Sequence, residues 1–355
     1  MKPPRRLRSP QRSVTIHDVA REAKISVTAV SRHFNQRIVL PAATAARIDL
    51  AAATLGYRPN VAARRLSTGS SESLGIVISD VAQPLFAAVA SAAEAECAKH
   101  GFSLLIFNSR NLVENELASL ARIEDAQVDG MLFMTNHPSQ PEMMETVNRV
   151  RNVVLLDEDV IGARAVRLFA RNREGGRIAT EHLIAFGHRR IAYVGGAADL
   201  MSSRERHIGY IEALKAHGID PDPGLTLFSG YEPSAGEQAF AQLDRLEQPP
   251  TAIFAAADAI AIGILRAARR AGVAVPERLS LVGFDDIQNA DVLGPPLTTI
   301  HQSGEIFGRR GVQLLLNVIA GRLPEPTTEY VDVHLVERSS ATRPRKDQHW
   351  RFKPG

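Results

Sequence analysis

The chain has 355 residues, 45% of them hydrophobic and 23% charged, a balance that excludes a disordered or fibrous protein and leaves room for two or three domains. The single Cys97 excludes an intramolecular disulfide and a cysteine metal cluster, which fits a reducing compartment. The net charge of +3 hides a division, since residues 1–70 carry 13 Lys/Arg against 3 Asp/Glu and the remainder 29 against 36, so a polyanion would meet the front of the chain.

Residues 1–12 are rich in Pro and Arg, with Arg5, Arg6, Arg8 and Arg12, and read as a disordered basic tail. No apolar run follows them, so no secretory signal is expected, and no stretch approaches the roughly 18 apolar residues of a membrane span. A cytoplasmic protein without membrane contact is the expectation. From Thr15, a capping-box pattern with Asp18 precedes Ile16, Val19, Ala20 and Ala23 at helical spacing. After a turn at Lys24-Ile25, Ser26 can cap a second helix whose Val30 and Phe34 face one way while Thr28, Ser31 and Arg32 face the other. A third helix is predicted over Ala42 to Leu55, with Ala45, Ile48, Ala52 and Leu55 inward and Gly56 as its stop. Small polar groups with one Arg on a short second helix are what a major-groove reader presents.

Tyr57-Arg-Pro-Asn60 then breaks the helix, and Val61-Ala-Ala-Arg-Arg-Leu66 leads into Ser67-Thr-Gly-Ser-Ser71. Six helix-permissive residues are too few to hold a helix alone, so residues 60–72 read as a hinge and linker after a helix-turn-helix domain at 13–59. From Leu74 short apolar runs alternate with segments of helical length: 74–78, 104–107, 131–133, 153–156, 191–194, 253–255 and 281–282. That alternation means βαβ units and parallel sheets. So many strands call for two sheets, with ligands beyond the carboxyl ends of the strands.

The chain resembles the LacI/GalR family of bacterial transcription regulators over residues 14 to about 343. The resemblance rests on Thr15-Ile-His-Asp-Val-Ala, Ser26-Val-Thr-Ala-Val-Ser-Arg, Leu55-Gly-Tyr-Arg-Pro-Asn60, Arg204-Glu-Arg-His-Ile-Gly-Tyr210, Gly283-Phe-Asp-Asp286 and Pro296-Leu-Thr-Thr-Ile300, in that order. It implies an α/β protein: a three-helix helix-turn-helix head on a two-lobed, Rossmann-like body of the periplasmic-binding-protein type I fold. The body would span 73–343, with one lobe at about 73–170 and 302–331, the other at about 171–301 and 332–343, and a disordered tail at 344–355.

On the head, the resemblance implies base reading by Val27, Thr28 and Arg32, and a minor-groove wedge at Leu66 in a hinge helix. Thr15, Ser31, Thr44 and Tyr57 complete the expected DNA contacts there, with Asn60 and Arg64 in the hinge. Two departures stand at Pro41 and Ala45, where the family has Ser and Arg on the phosphate backbone; Thr44 and Arg47 are left for that role, with the basic tail. In the cleft, Asp157, Arg204 and Asp285 match family ligand contacts, Tyr231 an aromatic wall, and Phe86 lines the first loop. Asp258 reads as the cap of a helix over 259–271, and Arg206, three residues before Gly209, as structural. Ala257 stands where the family often has Asn, and Arg171 where it commonly has Asp.

The expected function is therefore a homodimeric or tetrameric repressor of a sugar-utilisation operon, binding double-stranded operator DNA under control of a sugar or sugar derivative. A pentose is one expectation; a sugar acid or phosphate held by Arg171 and Arg204 is another; a purine is a third that no specific residue supports. The other class weighed is a solute-binding protein or sugar-processing enzyme sharing the body, which would lack the basic head. No His-Glu-x-x-His, Gly-x-Ser-x-Gly, Walker loop or dinucleotide fingerprint occurs, so no catalysis, metal or cofactor is expected.

Overall fold

The computed structural model describes residues 14–35, 38–57, 70–324 and 326–345. The hinge positions Asn60, Arg64 and Leu66 and both tails lie outside them. The chain forms two compact units that divide between Ser71 and Glu72.

The first unit holds α1 (Ile16–Ala23), α2 (Val27–Phe34) and α3 (Ala42–Leu55). Asp18 accepts hydrogen bonds from the Thr15 N–H at 3.0 Å and the Thr15 hydroxyl at 2.7 Å, which fixes the start of α1. Ser26 Oγ accepts from the Ala29 N–H at 3.2 Å and caps α2. Gly56, at φ +64°, ends α3 in the left-handed conformation that glycine adopts without strain. Val19, Val30 and Ile48 are fully buried between the three helices.

The second unit contains two six-stranded sheets. One comprises β1 (Ser73–Ile78), β2 (Ser103–Asn108), β3 (Met131–Phe133), β4 (Val153–Leu156), β5 (Val166–Ala170) and β11 (Thr328–Val331). The other comprises β6 (Ile191–Gly195), β7 (Thr226–Phe228), β8 (Ala252–Ala255), β9 (Ser280–Asp285), β10 (Thr298–Gln302) and β12 (Val333–Val336). Their orders are 11-5-4-3-1-2 and 12-10-9-8-6-7, the same path walked twice, and every pairing is parallel except β10 with β12. Helices α4 (Pro84–Lys99), α5 (Val113–Glu124) and α6 (Pro141–Arg149) serve the first sheet. Helices α7 (Asn172–Ala185), α8 (Met201–Ala216), α9 (Pro233–Asp244) and α10 (Asp258–Arg270) serve the second, and α11 (Gly304–Ile319) returns to pack on α4.

Strands β1, β3, β4, β6 and β8 are buried along their whole length, which is why they read as unbroken apolar runs. In each sheet the chain goes outward from the first strand and then reverses to its other side, between β1 and β3 and between β6 and β8. Those reversals leave crevices at the carboxyl ends of the strands. The chain passes from one sheet to the other after β5, after β10 and between β11 and β12.

Candidate functional site: a cleft between two sheets

The loops at those carboxyl ends converge on one cavity of about 50 Å³. The first sheet contributes Gln83, Leu85 and Phe86 after β1, Asn136 after β3 and Asp157 after β4. The second contributes Ser202 and Arg206 on α8, Tyr231 after β7, Ala257 and Ala259 after β8, Asp285 at the end of β9 and Gln302 at the end of β10. Asp157 and Asp285 both hold positive φ, +67° and +119°, a strain that surrounding structure must hold in place and that clusters at functional sites.

The charges are unbalanced. Arg206 is 3% exposed, donates from Nε to Asn172 Oδ1 at 2.8 Å and from Nη1 to the Ala256 carbonyl at 2.6 Å, and lies 3.7 Å from the centre of the Phe284 ring. Its Nη1 is 4.0 Å from Asp285 Oδ1. Asp285 also accepts from Gln302 Nε2 at 2.6 Å. Burial pushes the Asp285 carboxyl up to about 7 against the pull of Arg206, with Asp157 adding to the rise. Burial raises Asp157 as well, again opposed by Arg206. Behind them Glu158 is pushed up to about 8, by burial first and then by Asp157. Glu158 reaches across the cleft: it accepts from the Ser202 N–H at 3.3 and 3.2 Å and from the Ser202 hydroxyl. Helix α8 begins after Leu200, which has no capping side chain, so a carboxyl from the opposite sheet takes that role. The Tyr231 hydroxyl lies 2.8 Å from Ser202 Oγ in the same chain of contacts.

Of the residues expected in the cleft, Phe86, Asp157, Tyr231 and Asp285 come together there and Arg204 does not. Arg204 is exposed and lines a separate recess at the rim with His137, Asp159 and Asp199. The cleft arginine is Arg206, two residues on. Successive helical positions turn by about 100°, so 204 and 206 point to opposite sides of α8, and only 206 shares a face with Ser202 and Gly209. That i, i+4, i+7 set was visible in the sequence and identifies the buried face. Arg171 is also displaced: its Nε pairs with Asp332 at 2.7 Å, and it lines a groove of about 750 Å³ with Arg167, Arg173 and Tyr330. Asp258 does not cap α10, whose N-cap is Ala257. It is fully buried and accepts from Thr299 Oγ1 at 2.6 Å and the Ile287 N–H at 3.0 Å, tying down the loop that carries Asp285. Asp286 pairs with Arg338 at 2.7 Å and His301 at 3.0 Å.

One buried carboxyl supports the cleft from behind. Glu116 on α5 is fully buried and accepts from Thr135 Oγ1 at 2.8 Å, next to Asn136. Burial pushes it up to about 7 despite that hydrogen bond. A carboxyl held above its ordinary range contributes stability that is complete below the unfolded pKa and is lost as pH rises through the folded one. Glu116 is therefore expected to make the body lose stability as pH rises from about 4.5 to about 7, and Glu116→Gln to remove up to about 3 kcal/mol of that loss. Urea midpoints measured across this range check it; equal pH slopes for the two proteins would contradict the role given to Glu116.

On the head, Thr28 and Arg32 are exposed on α2, Ser31 is half-buried, and Val27 packs partly against the core. Thr44 is half-buried at the start of α3. Thr15 is engaged with Asp18, as described, and Tyr57 packs on Phe34 with ring centres 5.6 Å apart. Arg47 Nη2 donates to the Ala23 carbonyl at 2.5 Å and so closes the end of α1, while the residue itself stays exposed.

Comparison with known proteins gives two family matches: bacterial regulatory proteins, lacI family, at residues 15–60, and the periplasmic binding protein-like domain at residues 180–341. HTH-type transcriptional repressor PurR of Photorhabdus laumondii is 32% identical over 330 residues, 92% of this chain and 96% of that protein. The protein of that name from Yersinia enterocolitica is 33% identical over 328 residues, 92% of this chain and 96% of its own length. Among solved structures, the Lac repressor dimer bound to operator and the anti-inducer ONPF matches with TM-score 0.82 and 27% identity, over 93% of this chain and all of that one. The transcriptional regulator CelR–cellobiose complex matches with TM-score 0.70 and 29% identity, over 92% of this chain and all of that one.

Proposed function

This chain belongs to the lacI family of bacterial regulatory proteins and is a DNA-binding transcriptional repressor, and we propose that a sugar or sugar derivative in the inter-sheet cleft controls its hold on operator DNA. The observation that carries the reading is the joining of an exposed Thr28 and Arg32 on the second helix of the head to a body in which Asp157, Arg206 and Asp285 line one cavity. Two copies would place two heads on an approximately two-fold operator. A ligand that prefers one arrangement of the two lobes must disfavour the other, with a coupling of about 1 to 3 kcal/mol. If the ligand-bound arrangement releases DNA the ligand is an inducer; if it favours paired hinges the ligand is a corepressor. In this role Asn60, Arg64 and Leu66 belong to the hinge that both ends share.

Fluorescence anisotropy with palindromic operator DNA across a salt series tests the DNA end. Salt-sensitive binding is expected of the intact protein and not of a truncation beginning at Ser73; the same weak signal from both would refute it. Arg32→Ala is expected to lower discrimination between operator and scrambled DNA by about 1 to 3 kcal/mol, the value of a bidentate base contact. An unchanged preference in that competition would move base reading elsewhere on α2.

A further inference from the structure

We propose that the groove beside the first turn of α7 is a second binding site, separate from the cleft, for a small organic anion: a carboxylate or phosphate carried on an apolar ring. The groove has a volume of about 750 Å³, within the 300 to 1,000 Å³ of small-molecule sites. It lies between β5 and β11 of the first sheet and helices α7 and α8 of the second, and shares no lining residue with the cleft.

Two observations point to an anion. The first is that α7, 14 residues long, opens without a side-chain cap: its N-cap is Arg171, which makes no such bond. The N–H groups of Asn172, Arg173 and Glu174 have no acceptor within the helix, and all three residues line the groove with Arg171. The positive end of the helix therefore opens on the groove, where an anion is favoured. The second observation is Asn172, which is 2% exposed and whose Nδ2 is buried with no hydrogen-bond partner among the described residues. Its Oδ1 accepts from Nε of Arg206, a cleft residue, at 2.8 Å, which sets the orientation of the amide. Because Asn172 lines the groove and not the cleft, Nδ2 is left as the donor on the groove side. A buried donor without an acceptor is costly, and a ligand oxygen recovers that cost on binding. Arg171, Arg173 and Glu174 around it are exposed and can part to admit a ligand.

Charge and shape set the class. Four arginines and four carboxyls line the groove, so its side chains balance and the uncapped helix end supplies the positive surplus. Arg171 Nε pairs with Asp332 at 2.7 Å and Arg173 Nε with Glu212 at 2.8 Å, and both pairs are exposed to solvent. Such pairs are worth little, so either guanidinium can turn to a ligand at small cost. Arg171 also stands 5.6 Å from the centre of the Tyr330 ring, which is 56% exposed, and Phe169 and Met201 add apolar wall. An anionic group at the start of α7 would lay its ring against Tyr330.

The test is a thermal-shift series followed by calorimetry on the full chain, with ionic strength held constant by chloride. The probes are phenyl phosphate, benzoate and the neutral benzyl alcohol. The expected result is a saturable stabilising shift from at least one of the two anions, with benzyl alcohol weaker by about tenfold or more; the tighter anion tells phosphate from carboxylate. Asn172→Asp keeps an oxygen for Arg206 and removes the donor, and is expected to weaken the responding anion by about tenfold or more. Tyr330→Ala changes only an exposed wall and is expected to weaken it by about threefold or more, the loss of a ring contact. No shift beyond the chloride control overturns the proposal, as does benzyl alcohol binding as tightly as the anions. Full affinity in both variants also overturns it, since the anion would then sit elsewhere.

Discussion

Arg206→Ala is expected to destabilise the body by about 3 to 5 kcal/mol, the cost of removing one partner from a buried ionic cluster, and to abolish the response to ligand. The guanidinium is the only cation among the described residues that line the cleft, and Asp157 and Asp285 are both held down by it against burial. Without it those carboxyls must take up protons or draw in water, and the contacts to Asn172 and Ala256 are lost with it. Arg206→Lys is no rescue, because one ammonium cannot hold both acceptors while stacking on Phe284. Adding Asp285→Asn to Arg206→Ala should restore part of the loss, since it removes a charge left uncompensated; a double-mutant cycle in urea measures that coupling. Arg204→Ala, an exposed position, should fall within about 0.5 kcal/mol of the parent. Should Arg204→Ala prove the more damaging of the two, the placement of the cleft arginine is wrong.

Gly209→Ala is expected to cost about 2 kcal/mol, although helix propensity alone favours Ala by about 1 kcal/mol. Gly209 on α8 and Gly176 on α7 let the two helices cross at backbone contact: a Cβ at 209 would collide with the Arg173 carbonyl oxygen, and one at 176 with that of Arg206. Both obstacles are main chain, so neither can rotate away. The crossing sets how far Arg206 reaches toward Asn172, which lies on α7. The substitution should therefore weaken ligand response together with stability. A net rise in the melting temperature of Gly209→Ala would show that the helices can separate at no cost, and would remove the packing argument.

How much of this was legible in the sequence depended on the range of the forces involved. The head was read almost residue by residue, because capping at Thr15 and Ser26, the stop at Gly56 and the inward stripe of Val19, Val30 and Ile48 are all local. The α/β class was also legible, since buried parallel strands write themselves as short apolar runs such as 131–133 and 153–156. Strands β5, β7, β10, β11 and β12 do not stand out as such runs. They carry Arg167, Thr226, Thr298, Thr299, Glu329 and His334, which break the apolar runs, and some of these are satisfied by partners far along the chain, as Thr299 is by Asp258 and Glu329 by Arg310. In the cleft the acidic residues were found by their position after strands. Motif spacing alone points to Arg204, and the helical turn that separates its face from that of Arg206 reverses the assignment.

The sequence by itself determined the family, the three-helix head, the α/β body and four of the five expected cleft residues. The head and the body follow from patterns of burial or capping that span a few residues; the family and the cleft residues rest on the ordered motifs, the resemblance they carry and position after strands. Only the tertiary structure decided which arginine stands among the carboxyls, that Glu158 closes on Ser202 from the opposite sheet, and that Asp258 braces the Asp285 loop instead of its own helix. Those assignments depend on which groups from distant segments share a region emptied of water. Pairing there is set by distance and desolvation, and neither is encoded by neighbouring residues in the chain.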